Sequence, residues 1–133
     1  MKTKRFRTLA KSLRIAHLTE PIFDADILIT FGSNEQMKSW YEKKGISASD
    51  VNPSWQAFCE RITENGQHTY HLHFTFYGFR PIVHETHHAA FLILSDRGLM
   101  LTDDTKEAFA YYQDWLAGAI RDIFEQWTTR KRK

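Results

Sequence analysis

Between Trp55 and Trp127 the apolar residues change their period, and that change limits the architectures open to the chain. Trp55 to Ile62 and Gln67 to Tyr77 read as strands on either side of Glu64-Asn65-Gly66, and Asn-Gly tolerates the positive φ angles of a tight hairpin turn. In the second strand Tyr70, Leu72, Phe74 and Phe76 alternate with Thr69, His71, His73 and Thr75. One face is then core and the other polar, the pattern of an antiparallel sheet, so His71 and His73 share one side, where they could pair on a metal but, with no third ligand in view, read as solvent-facing. From Thr105 to Trp127 the apolar set becomes Ala108, Tyr112, Trp115, Leu116, Ala119, Ile120, Ile123 and Trp127. That spacing keeps one helical face for more than about five turns.

Shorter elements complete the reading. Ser12 to Thr19 and Asp26 to Phe31 alternate roughly and are rich in β-branched residues, with Thr19-Glu20-Pro21 and Asp24 marking the connection between two strands. Ser33 or Asn34 caps a helix carrying Met37, Trp40 and Tyr41, which ends in the basic turn and glycine of Lys43-Lys44-Gly45. Pro81 suits the first position of another helix, apolar to Leu94 and stopped at Ser95-Asp96-Arg97-Gly98. The expected fold is α+β: a small twisted sheet, antiparallel or else mixed, packed on three helices.

A length of 133 residues with 14% aromatic residues, six Gly and three Pro excludes a disordered or low-complexity polymer and predicts one domain over 1–133. No apolar run approaches the roughly 20 residues of a membrane span. The basic start, Met1 to Arg7, is followed by Lys11, Arg14 and His17 rather than by an apolar core, so the chain reads as unexported and cytoplasmic. Both ends, about 1–11 and 128–133, read as basic and frayed.

The chemistry is concentrated in His84-Glu85-Thr86-His87-His88, an H-E-x-x-H string on the Pro81 helix. Residues four apart lie one above the other on a helix, so His84 and His88 can offer two neutral imidazoles to one tetrahedral zinc. Glu85, turned off that axis, can take the proton of a water and later pass it to a leaving amine. The apolar flank Ala89 to Leu94 would bury the helix and hold the rings. A catalytic zinc needs a third protein ligand, and Glu107 is chosen because it opens the terminal helix after a turn around Gly98. Asp103 and Asp104 compete for that place but suit capping better. His87 is read as lying behind the ligands or on the surface. Cys59, the only cysteine, excludes an internal disulfide and a thiolate zinc site, and reads as a small buried hydrophobe.

His84 to His88, followed by Asp104-Thr105-Lys106-Glu107-Ala108-Phe109-Ala110-Tyr111, resembles the zincin metallopeptidases, and among them the gluzincins, whose third ligand is a glutamate on a second helix. The chain also resembles small metallopeptidase-like proteins encoded by bacteriophages. The likeness covers roughly residues 70 to 127. It implies a zinc cofactor, a peptide or protein substrate, a twisted sheet over the metal helix, His84, His88 and Glu107 as ligands, and Glu85 as general base. It also implies that the strand before the metal helix is the edge strand on which an extended substrate pairs. For a phage protein the compartment is the host cytoplasm. Larger gluzincins close the cleft with a second subdomain, for which this chain has no room. They often add an oxyanion donor, and Tyr111, one turn after Glu107, is the candidate here.

A reading from another class treats the chain as a small non-catalytic binding protein, with zinc structural or vestigial. Lys2, Lys4, Arg5, Arg7, Lys11, Arg14 and Arg130 to Lys133 would then contact nucleic acid phosphates, or the chain would attach to a host protein.

Overall fold

The computed structural model describes residues 12–47 and 54–131. Four strands form one mixed sheet in the order β1-β2-β4-β3: β1 (Arg14–Glu20), β2 (Ala25–Phe31), β3 (Ala57–Glu64) and β4 (Gln67–Phe74). The fold is α+β, as expected. The β1–β2 and β3–β4 pairs are antiparallel hairpins, whereas β2 and β4 run parallel at the centre. That parallel pair requires a crossover, and α1 (Asn34–Lys44) with β3 supplies it. Asn65 and Gly66 both take positive φ, 53° and 79°, so the expected tight turn forms and fixes the β3–β4 register.

Helix α1 begins and ends as its sequence dictates. Ser33 accepts from the Gln36 backbone while the Gln36 side chain accepts from the Ser33 backbone, a reciprocal capping box. Gly45 closes the helix at φ 74°, a conformation that costs glycine little. Helix α2 (Phe79–Asp96) starts two residues before Pro81 with Gly78 as its cap. Proline there still removes no intrahelical bond, since the first-turn N–H groups have no partner in any helix. Helix α3 (Lys106–Lys131) continues to Lys131, into the segment expected to fray, whose last residues, like 1–11, lie outside the described ones, with Thr128 and Thr129 hydroxyls donating to the carbonyls of Phe124 and Glu125.

The two faces of the sheet are both covered. Ile27, Ile29, Phe31, Tyr70, Leu72 and Phe74 join Ile82, Ala89, Ile93, Leu116, Ile120 and Phe124 of α2 and α3 in the main core. Phe124 sits among Phe31, Phe74, Tyr77 and Trp127 at ring separations of 4.8–5.6 Å. On the other face Met37 and Tyr41 of α1 pack with Phe58 in a second, smaller core. His71 and His73 lie on that face and are fully buried, which corrects the solvent-facing expectation. Alternation along β4 marks two sides but cannot say that a helix covers the polar one. Glu20 is also buried, and accepts hydrogen bonds from Ile22 and Phe23 N–H and from the Tyr112 hydroxyl, tying the first hairpin to α3.

Among the described residues no helix is long and apolar enough to cross a membrane. Apart from Arg14, the basic terminal residues of the phosphate-contact reading have side chains outside the described part.

Candidate metal centre

Helix α2 is held by what it buries. Ile82, Ala89, Ala90, Ile93 and Leu94 face the core, and Gln113 of α3 donates to the Val83 carbonyl at 3.0 Å. The Thr86 hydroxyl donates back to the Ile82 carbonyl at 2.6 Å. These contacts fix the turn that carries the motif, so the exposed side of the helix presents His84 and His88 in a set orientation.

His84 Nε2 and His88 Nε2 stand 3.1 Å apart, and a carboxylate oxygen of the buried Glu85 falls within 4.8 Å of both rings' ligand atoms. Two nitrogens at zinc–nitrogen lengths of about 2.0–2.1 Å and a tetrahedral angle would be about 3.3 Å apart. The separation is close to that of two nitrogens on one zinc ion, and the Glu85 carboxylate is the only further ligand type beside them among the described residues. The same distance also serves a ring-to-ring hydrogen bond. Burial, with His84 and His87 alongside, lowers the His88 pKa and favours the neutral, ligating ring. Burial raises the Glu85 pKa, while His84 pulls it the other way.

Glu85 points from α2 towards β3, where Cys59 lies close enough for the carboxylate to disfavour a thiolate. Burial first, then Glu85 and Glu60, push the Cys59 thiol up to about 12. Cys59 is thus a free, half-buried thiol that packs on the core, in surroundings that favour its protonated form.

The other expected site residues are not gathered here. Phe91 packs on Phe109 at 6.3 Å and Gln113 reaches back to Val83, so α2 and α3 run antiparallel and Glu107 lies past Phe109, towards the far end of α2. Glu107 is exposed there. Tyr111 is 71% exposed on the same helix. Among the described residues the cluster able to hold a metal is His84, Glu85 and His88.

The strand nearest the site also differs from expectation. β4 is paired on both sides, with β2 and with β3, so it offers no free edge to a substrate. Among the described residues β3 is the edge strand on this side of the sheet, and β1 is the other edge. Thr75 N–H donates to the Gln56 carbonyl at 2.9 Å, which places the inward bonds at Gln56, Phe58 and Glu60 and turns the backbone groups of Ala57 and Cys59 outward. Between that edge and the start of α2 lies a cleft of about 680 Å³, lined by Trp55, Ala57, Phe79, Arg80, His84 and Glu85 among others. That placement follows from topology: a hairpin whose second strand enters the sheet centre leaves its first strand at the edge.

The chain was compared with protein-family models, curated proteins and solved structures. None matches. Any functional reading rests on the geometry and on the motif itself.

Proposed function

We propose that this protein is a zinc-dependent peptidase in which His84 and His88 hold the ion and Glu85 is the general base. The observation that carries the reading is the convergence of both Nε2 atoms and the Glu85 carboxylate, at the mouth of a cleft bordered by a strand edge that has no partner among the described residues. A bound zinc supplies a Lewis acid for the peptide carbonyl and lowers the pKa of water at the site.

The chain's own groups then have distinct tasks. Ala57 and Cys59 on the outward side of β3 offer backbone donors and acceptors to an extended peptide, which aligns it along the cleft. Glu85, held by burial beside the two rings, accepts a proton from the attacking water and delivers it to the departing amine.

The test is metal content followed by turnover. After exhaustive dialysis the full chain should retain about one zinc, and His88→Ala should lose it. The zinc-loaded protein should cleave peptides, and Glu85→Gln should keep its zinc while losing cleavage. Zinc-independent cleavage, or cleavage that survives Glu85→Gln, would remove this mechanism.

A further inference from the structure

The cleft beside the candidate metal centre has an uneven charge. Among the described residues Glu85 is the only acidic one lining it, and a carboxylate oxygen of Glu85 lies within 4.8 Å of the ligand atoms of His84 and His88. Arg80 lines the same cleft and is exposed. It forms no ion pair among the described residues, whose salt bridges join Arg61 to Asp96, Lys106 to Asp103 and Arg121 to Asp122. Trp55, 42% exposed, and Phe79, 82% exposed, contribute apolar walls around it.

Arg80, His84 and His88 follow one another at steps of four residues on α2. Such residues form one stripe, each about 5–6 Å from the next. A peptide residue spans about 3.3–3.6 Å when extended. A carbonyl placed between His84 and His88 lies about one and a half of these helix steps from Arg80, so a group bound at Arg80 falls about two or three residues from it.

We propose that Arg80 anchors a substrate carboxylate, so that the cleft selects peptides carrying an acidic side chain or a free C-terminus about two or three residues from the bond to be cut. The proposal rests on the peptidase reading for what is cut, but the binding preference itself needs no turnover. A planar guanidinium can grip a carboxylate through two parallel hydrogen bonds, which neutral amides cannot match. The start of α2 adds to the preference, since its first turn contains no acidic residue and Gly78 contributes no side-chain cap. The aromatic walls suit an apolar side chain adjoining the carboxylate. A carboxylate supplied by a side chain and one supplied by a chain end are the same ligand to Arg80, and matched peptides separate them.

The experiment is a calorimetric titration of the full chain carrying Glu85→Gln, with and without added zinc, so that peptides bind without being cut. One peptide pair differs as free acid against C-terminal amide, and a second as internal Glu against internal Gln. At least one carboxylate member should bind about tenfold tighter than its neutral twin, and the pair that shows the preference names the source. Adding Arg80→Gln should bring that ratio to about one, whereas Arg80→Lys should keep part of it. An unchanged ratio in Arg80→Gln, or no preference in either pair, would overturn the proposal. Thermal unfolding of each variant reports folding separately. Failure of the peptidase reading has its own signature: a carboxylate preference that depends on Arg80, in a chain whose intact Glu85 form cleaves nothing.

Discussion

His71 and His73 on β4 and His84 and His88 on α2 are both pairs of imidazoles brought together by local periodicity, two residues apart on a strand and four apart on a helix. In the first pair nearly every nitrogen is committed. Tyr41 donates its one hydroxyl proton to Glu60, so it must accept from His71 Nδ1–H at 2.5 Å. The Thr30 hydroxyl then donates to His71 Nε2 and accepts from His73 Nδ1–H, both at 2.7 Å. Only His73 Nε2 has no hydrogen bond. The second pair is exposed and turns Nε2 against Nε2 beside a carboxylate. What separates a structural histidine pair from a site is whether its nitrogens are already spent on the fold.

The sharpest test of that contrast is Glu85→Gln. General-base removal typically costs about 10²–10⁴ in rate, so kcat should fall by that range with zinc content unchanged. A substitution at the other pair, Thr30→Val, should leave zinc and turnover in place. It should instead cost about 2–6 kcal/mol of stability by urea unfolding, because two buried ring nitrogens lose a partner at about 1–3 kcal/mol each. If Thr30→Val were neutral in stability but lowered zinc binding, the two pairs would have to exchange roles.

Proton uptake separates the pairs by a smaller amount. Burial holds His73 down to about 3, with the Gly32 backbone pulling weakly the other way. Burial, then His73, holds His71 well below its ordinary value. The unfolded chain binds these protons near pH 6.5 and the folded chain does not, so stability is full above that pH and is lost as pH falls below it. At pH 5 His73 alone removes about 2 kcal/mol. Urea midpoints measured at pH 7.5 and 5 should show the loss in the parent and equally in His84→Ala/His88→Ala. A drop that vanishes in that double variant would assign it to the exposed pair.

This contrast also shows how far the sequence could be read. The hairpin at Asn65-Gly66, the Ser33 cap, the Gly45 stop and the long α3 face were legible because each depends on residues within one or two turns. The H-E-x-x-H pair was legible for the same reason, since a helix alone brings His84 to His88. His71 and His73 were misjudged because their burial depends on α1 returning across the sheet, a contact between residues 30 positions apart. The edge position of β3 and the central, parallel place of β4 likewise belong to topology. Arg80 carries no motif and becomes informative only when Trp55 and Ala57 are seen across the cleft from it.

The smallest expected effect is at Glu107, where spacing and packing give different answers. A glutamate at the start of a second helix suits a third zinc ligand by its order in the chain. The antiparallel packing of α2 on α3, however, sets Phe109 against Phe91 and leaves Glu107 beyond that contact, exposed and outside the His84–Glu85–His88 group. Glu107→Gln should therefore change zinc affinity by no more than about 0.5 kcal/mol, the range of ordinary surface substitutions, as measured by competition with a chromophoric chelator. A loss as large as that of His88→Ala would mean that the first turn of α3 moves along α2 when zinc binds. The Phe91–Phe109 contact would have to open for that to happen. The same titration with Phe109→Ala, which loosens the contact without removing a carboxylate, would then strengthen zinc binding rather than weaken it.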